Sequence, residues 1–203
     1  VPTARHSYLI QKRAFDLLFC LVTLPVVAPL LLLCALAVRL DSPGPVLFAQ
    51  ERTGQHGVRF RMYKFRTMVV NAEELKPALA HLNVLPFPDF KIPNDPRITR
   101  VGKVLRKTSL DELPQYLNLV KGEMSLVGPR PTSFAATTYD LWHTHRLEVR
   151  PGITGLWQVF GRNTTTFDER LRLDIQYIEN MSFGLDLKIL WWTVASVLRG
   201  SGA

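Results

Sequence analysis

Asp111 and Glu112 stand side by side in KVLRKTSLDELPQ (103–115), directly after a stretch that carries Lys103, Arg106 and Lys107. Adjacent carboxylates behind a group of cations suit phosphoryl chemistry. A carboxylate can attack phosphorus to form an acyl phosphate, splitting one difficult displacement into two easier ones, while the cations hold the phosphate oxygens. One anion must then approach another, so a divalent metal is needed to offset the charge. The same spacing has a plainer reading. Ser109 followed three residues later by Glu112 is an S-x-x-E capping box that opens a helix, although Pro114 sits slightly deep in the first turn for it. A helix N-terminus favours a carboxylate and a bound phosphate alike, so spacing leaves both readings open.

Two other segments hold polar groups that need a reason. SLVGPRP (125–131) sets Arg130 between two prolines, which fix its backbone on both sides and suit a planar guanidinium to phosphate binding. RPGITGLWQVFGRN (150–163) places three glycines around Trp157, Gln158 and Arg162, the pattern of either a structural or a binding loop. Several familiar signatures are absent: no nucleotide-binding glycine loop, no G-x-S-x-G, no H-E-x-x-H and no Asp-x-Asp pair.

The elements that must position these residues begin with an apolar run. Residues 17–38 contain no charge, and the run is long enough to span a bilayer as a straight helix. Pro25 and Pro29 argue for a helix, a break and a second helix. Lys12 and Arg13 precede the run and Arg39 closes it, which favours one side of the membrane for both flanks; the segment is expected to dip in and return, with a bent span and a buried hairpin as the alternatives. Cys20 and Cys34 lie inside the run and read as small buried hydrophobes.

DSPGP (41–45) marks a boundary. The next two segments, PVLFAQER and VRFRMYKF, read as a β-hairpin around residues 53–57, with Phe60 and Met62 on one face and Arg59 and Arg61 on the other. Residues 77–96 hold five prolines and read as a long surface loop with the character of a lid. Helices are expected from Ile98, from about Leu110 to Val120, and after a T-x-x-E capping box at Thr166 to Glu169. DLKILWWTVASVLR (186–199) reads as an amphipathic helix too short to cross a membrane, with Trp191 and Trp192 suited to the head-group level. The fold class is thus α+β and mostly helical, with a re-entrant membrane segment at 12–40 and a catalytic domain at 41–203. A formal net charge of +8 draws the protein to anionic partners, whether nucleic acid, anionic lipid or phosphorylated substrates. The chain starts at Val1 without Met and is expected to be part of something longer.

The sequence resembles the bacterial sugar transferase family, the monotopic phosphoglycosyl transferases. The resemblance rests on KRAFD (12–16), YKFRTM (63–68), NDPRITRVGKVLRKTSLDELPQ (94–115), LVKGEMSLVGPRP (119–131), VRPGITGLWQVFGRN (149–163) and DLKIL (186–190), which occur in family order over nearly the whole chain. It favours the phosphoryl reading of 109–112 over the cap. It implies a re-entrant helix, an active site at the cytoplasmic face of the bacterial inner membrane, Mg2+ dependence and a ping-pong reaction through a phosphosugar on Asp111. In that reading Asp111 is also the metal ligand, and Glu112 acts as a base or orients the metal and carrier phosphate. Lys64, Arg106, Arg130 and Arg162 fall at positions that contact phosphate or nucleotide, and Gln158 lines the same pocket. The implied partners are a UDP-sugar, undecaprenyl phosphate and anionic membrane lipids, with no nucleic acid; self-association is left open. GLWQV (155–159) resembles the branch that transfers galactose or glucose phosphate. One departure is that the family's Ser-Pro break aligns with Ala28 and Pro29, which removes a hydroxyl able to satisfy a freed carbonyl; Thr23 and Pro25 are the expected compensation.

Overall fold

The computed structural model describes residues 3–84, 90–135, 137, 141–160 and 166–198. The chain opens with α1 (Thr3–Asp41), an apolar helix of 39 residues. Its inner stripe is Lys12, Asp16, Cys20, Cys34 and Val38, all buried, while Leu21, Val22, Leu24, Val26, Leu32, Leu33 and Leu36 are exposed. By length and composition it could cross a membrane.

The expected break at the two prolines is corrected, because Pro25 and Pro29 both lie inside one continuous helix. Each lacks the N–H that would bond four residues back, but they sit one turn apart on the exposed side, so their rings crowd only the outer face. The turn before them is held by side chains: Thr23 Oγ1 donates to Phe19 O (2.6 Å), and Tyr116 OH donates to Cys20 O. Neither bond reaches Leu21 O or Pro25 O, the carbonyls four residues before the prolines, so what Thr23 supplies is confined to the turn ahead of them. At its far end, Arg66 Nη2 donates to Ser42 O (2.8 Å) just past the helix, and Asp41 Oδ2 accepts from Val101 N (3.1 Å).

The hairpin forms as the alternation predicts. β1 (Leu47–Thr53) pairs antiparallel with β2 (Arg59–Phe65), in a register that sets Phe48 opposite Lys64 and Gln50 opposite Met62. Phe60 and Met62 are buried on Met124. After a single helical turn, α2 (Ala72–Leu75), the proline-rich stretch follows. Its end is not a loose lid, since Ile92, Asp95 and Arg97 are buried and Arg97 grips both Asp95 oxygens. Residues 85–89 lie outside the described residues.

α3 (Arg100–Thr108) begins at an N-cap in which Thr99 accepts from Gly102 N and stops at Ser109, which is left-handed at φ 58°. A 3-10 turn (Leu110–Gln115) and α4 (Tyr116–Lys121) follow, and Gly122 closes α4 in the left-handed conformation expected there. This stretch runs antiparallel along α1. Leu105 packs on Cys34 and Val38, Leu110 and Leu113 join the same cluster beside Leu30 and Leu31, and Arg13 donates to Leu119 O and Val120 O (2.7 and 2.9 Å).

β3 (Ser125–Val127) and β4 (Gly152–Thr154) form a short parallel pair that periodicity did not announce. A 3-10 segment (Leu141–Glu148) leads into β4, and α5 (Leu156–Phe160) leaves it. α6 (Phe167–Glu179) starts with the capping box anticipated at Thr166 and Glu169, and α7 (Phe183–Leu198) ends the described chain. Their core joins Leu119, Leu126, Val127, Tyr177 and Ile189 to Cys20 of α1. α7 buries Ile189, packs Leu190 and Trp192 against the same core, and leaves Leu187, Trp191 and Val194 exposed.

Candidate active site

Asp111 and Glu112 lie in the first turn of the 3-10 segment, between Leu110 and Leu113, whose side chains dock on the α1 cluster. The carboxylates are thereby fixed where the apolar helix meets the body. The capping box expected at Ser109 and Glu112 is absent: Ser109 makes no side-chain cap bond. Its left-handed backbone turns the chain, and the Glu112 side chain leaves for two cations instead.

Lys64 Nζ donates to Glu112 Oε1 at 2.7 Å and Arg130 Nη2 donates to the same oxygen at 2.9 Å. Burial alone would raise the Glu112 pKa, yet the charges and hydrogen bonds of Arg130 and Lys64 hold it down at about 2. Burial lowers Lys64, an effect opposed by Glu112, while the Glu112 charge raises Arg130. Asp111 differs. Burial pushes its carboxyl up from the ordinary aspartate value, with Lys64 opposing and Glu112 adding. Among the described residues no hydrogen bond or ion pair engages the Asp111 carboxylate. One acid is thus locked and ionised, and its neighbour is left for another partner.

The cations are positioned from several elements. Lys64 is carried by β2, whose register is clamped by Asn118: its Oδ1 accepts from Tyr63 N (3.1 Å) and its Nδ2 donates to Arg61 O (2.7 Å). Arg106 lies on α3, with Nε donating to Thr67 Oγ1 (2.9 Å). Burial lowers its pKa, against the pull of Asp111 and Asp95. α3 can lie this close to the segment that follows β2 because residue 102 is glycine; a Cβ there would stand 2.1 Å from Thr67 O. Arg130 leaves the β3 end between its two prolines, and Arg146 Nη2 donates to its carbonyl (2.6 Å) while pairing with buried Asp174 (2.6 Å).

The structure therefore brings Lys64, Glu112 and Arg130 into direct contact, with Asp111 and Arg106 within electrostatic reach. Gln158 sits on α5, where Nε2 donates to Ile153 O (2.9 Å), and it borders the close approach of Gly155 to Gly128 O. Arg162 lies outside the described residues. Thr67, Asn118 and Arg146 escaped the sequence reading. Thr67 stands inside YKFRTM and could have been suspected, but Arg146 gives no local signal, since its partners are 16 and 28 residues away. Among the described residues no three His, Cys, Asp or Glu side chains cluster as a metal cage. A lone open carboxylate instead fits magnesium, which takes one or two protein carboxylates and fills its sphere with substrate phosphates and water.

Fold and site together define a class: an α+β protein with a long apolar helix, carrying at the edge of that helix an open carboxylate beside a carboxylate held by two cations. Residues 7–200 match the family described as bacterial sugar transferase, and the chain belongs to that family. Over 205 residues it is 44% identical to the undecaprenyl-phosphate galactose phosphotransferase of Salmonella typhimurium, covering 98% of this chain and 43% of the relative. It is 41% identical over 197 residues to the exopolysaccharide production protein ExoY of Rhizobium meliloti, covering 95% and 87%. It is 40% identical over 210 residues to a UDP-N-acetylgalactosamine-undecaprenyl-phosphate N-acetylgalactosaminephosphotransferase of Aeromonas hydrophila, covering 100% and 47%. The chain spans less than half the length of the Salmonella and Aeromonas relatives.

Proposed function

We propose that the chain transfers a hexose-1-phosphate, galactose or glucose, from a UDP-sugar to undecaprenyl phosphate at the cytoplasmic face of the bacterial inner membrane, the first step of surface polysaccharide assembly. The observation that carries this reading is the split dyad, in which Glu112 is tied to Lys64 and Arg130 while Asp111 is unengaged. An Asp111 oxygen attacks the sugar-proximal phosphorus. The bond from that phosphorus to the bridging oxygen breaks, UMP leaves with the electron pair, and an acyl phosphate bearing the sugar remains on Asp111. A carrier phosphate oxygen then attacks the same phosphorus and releases the carboxylate.

Lys64, Arg106 and Arg130 hold the diphosphate oxygens and the charge that grows on UMP. Lys64 and Arg130 both engage Glu112 and keep it ionised, and the carrier phosphate is itself ionised and needs no base. The part of Glu112 is to hold Lys64 and Arg130 together. Asp111 and the donor phosphates would hold magnesium, which would supply the charge neutralisation that lets one anion approach another. The names of the relatives support a polyprenyl carrier and a sugar-phosphate donor, and GLWQV (155–159) supports hexose over an N-acetylated sugar. Anionic lipids suit the basic flanks of α1, where Lys12, Arg13 and Arg39 stand.

The test uses a UDP-hexose labelled in the sugar-proximal phosphate, with magnesium and no carrier. Label should become bound to the protein in a hydroxylamine-sensitive form, with UMP released, and Asp111→Asn should abolish both. Product formation after carrier addition, with no label on the protein before it, would assign Asp111 to metal binding alone.

A further inference from the structure

The face of β1 that carries Phe48, at the rim of the buried side of the hairpin, closes a ring with the cationic cluster. Phe48 lies directly opposite Lys64 in the hairpin register, so the two side chains share a face about 5 Å apart at Cβ. Lys64 holds Glu112, and Glu112 holds Arg130. Pro131, the next residue, accepts at its carbonyl from Arg52 Nη1 (3.5 Å), and Arg52 Nη2 donates to Gln50 Oε1. Gln50 and Arg52 follow Phe48 at steps of two, so all three project from the same side of the strand. The circuit thus encloses three cations, one bound carboxylate, an amide and an aromatic ring.

Of these, Phe48 is the one without a structural reason for its place. It belongs to no apolar cluster and is 43% exposed, although Phe60, one strand over, is buried. An exposed ring beside three cations is the pairing by which a nucleoside diphosphate is recognised, since cations take the phosphates and the ring takes the flat face of the base. We propose that β1 is the nucleoside wall of the donor site: Phe48 stacks on the pyrimidine, Gln50 lies beside it with an amide able to read the base edge, and Arg52 reaches the phosphate next to the ribose. The assignment rests on the donor being a nucleoside diphosphate sugar.

Direct binding of radiolabelled UDP to the full chain in detergent, by equilibrium dialysis, tests this without requiring turnover. Phe48→Leu should weaken UDP binding about tenfold, and Phe48→Tyr should restore it, because the stacking face is what counts. Competition by inorganic pyrophosphate, which engages the cations alone, should not change in either variant. Gln50→Leu should narrow the preference for UDP over CDP while leaving pyrophosphate unchanged. Unaltered UDP affinity in Phe48→Leu would overturn the assignment, as would an equal loss for UDP and pyrophosphate, which would mean the hairpin had merely shifted. A rise confined to the KM for polyprenyl phosphate would make this face part of the lipid path instead. Tight UDP binding that depends on Phe48, in a chain that transfers nothing from any UDP-sugar, would uphold the nucleoside wall and sink the proposed reaction.

Discussion

Two neighbouring carboxylates acquire opposite characters here because the chain gives one of them company. Glu112 receives two cations from β2 and from the segment after β3; Asp111 receives none directly, and burial raises its pKa. Arg106 is more conditional, since its orientation depends on the Thr67 hydroxyl. Thr67→Val keeps the shape and removes the acceptor, freeing the guanidinium to rotate. The expected result is a rise of about tenfold in the KM for the sugar nucleotide, in line with about 1.5 kcal/mol for a hydrogen bond to a charged group. The carrier KM should hold, and Thr67→Ser should recover the loss. A Thr67→Val enzyme with unaltered donor KM would show that α3 packing alone positions Arg106. That the carboxylates, Lys64, Arg106 and Arg130 belong to one neighbourhood was legible in the sequence from their types and motif positions. What was not legible was the use of Glu112. The S-x-x-E spacing pointed to a cap, and only the long-range approach of Lys64 and Arg130, 48 and 18 residues away, overrides it.

At the scale of elements, local pattern succeeded where the period was clean and failed where packing decided. The hairpin, α6 with its capping box, and α7 follow from alternation, T-x-x-E and helical spacing. The β3–β4 pair was invisible because each strand has only three residues, and their register depends on backbones that meet where Gly128 faces Gly152. The continuity of α1 was invisible for the opposite reason: two prolines outweigh local propensity until Thr23, Tyr116 and the docked stripe are counted. Another long-range link fastens α1 to α7, where buried Lys12 donates to Asp186 at 2.6 Å while Tyr8 and Tyr177 donate to the same carboxylate. It joins the first motif of the chain to the last. Removing one partner leaves a buried charge uncompensated, so Lys12→Met should cost about 3–5 kcal/mol and lower the apparent melting temperature by roughly 6–20 °C. Replacing both, as Lys12→Met with Asp186→Leu, should recover most of that loss. An unchanged melting temperature in the single variant would show that the two tyrosine hydroxyls suffice to hold Asp186.

The whole molecule poses the question of how α1 meets the membrane, and its anchors make one arrangement testable. Near the start of the helix, Lys12 and Arg13 are bonded to α7 and α4; at its end, Asp41 is bonded to α3 and Ser42 to Arg66. All of these partners belong to one body. A helix that crossed the bilayer would place Lys12 and Asp41 on opposite sides, tearing out either the buried Lys12 pair or the Asp41 link to Val101. The exposed leucines and valines between the anchors must nevertheless leave water, since a continuous apolar face of this kind is unfavourable in solution. Both demands are met if the middle of α1 sinks into one leaflet with its prolines outward while both ends stay on the face where the body sits. Single cysteines at His6 and Pro45, in a chain with Cys20→Ala and Cys34→Ala, report on this directly, with an exposed control at Glu74. In sealed inverted vesicles an impermeant maleimide should label all three positions, and in right-side-out spheroplasts none of them. Labelling of position 6 alone in spheroplasts would establish a crossing helix, and the contacts that α1 makes through Lys12 and Arg13 would then have to be surrendered on insertion.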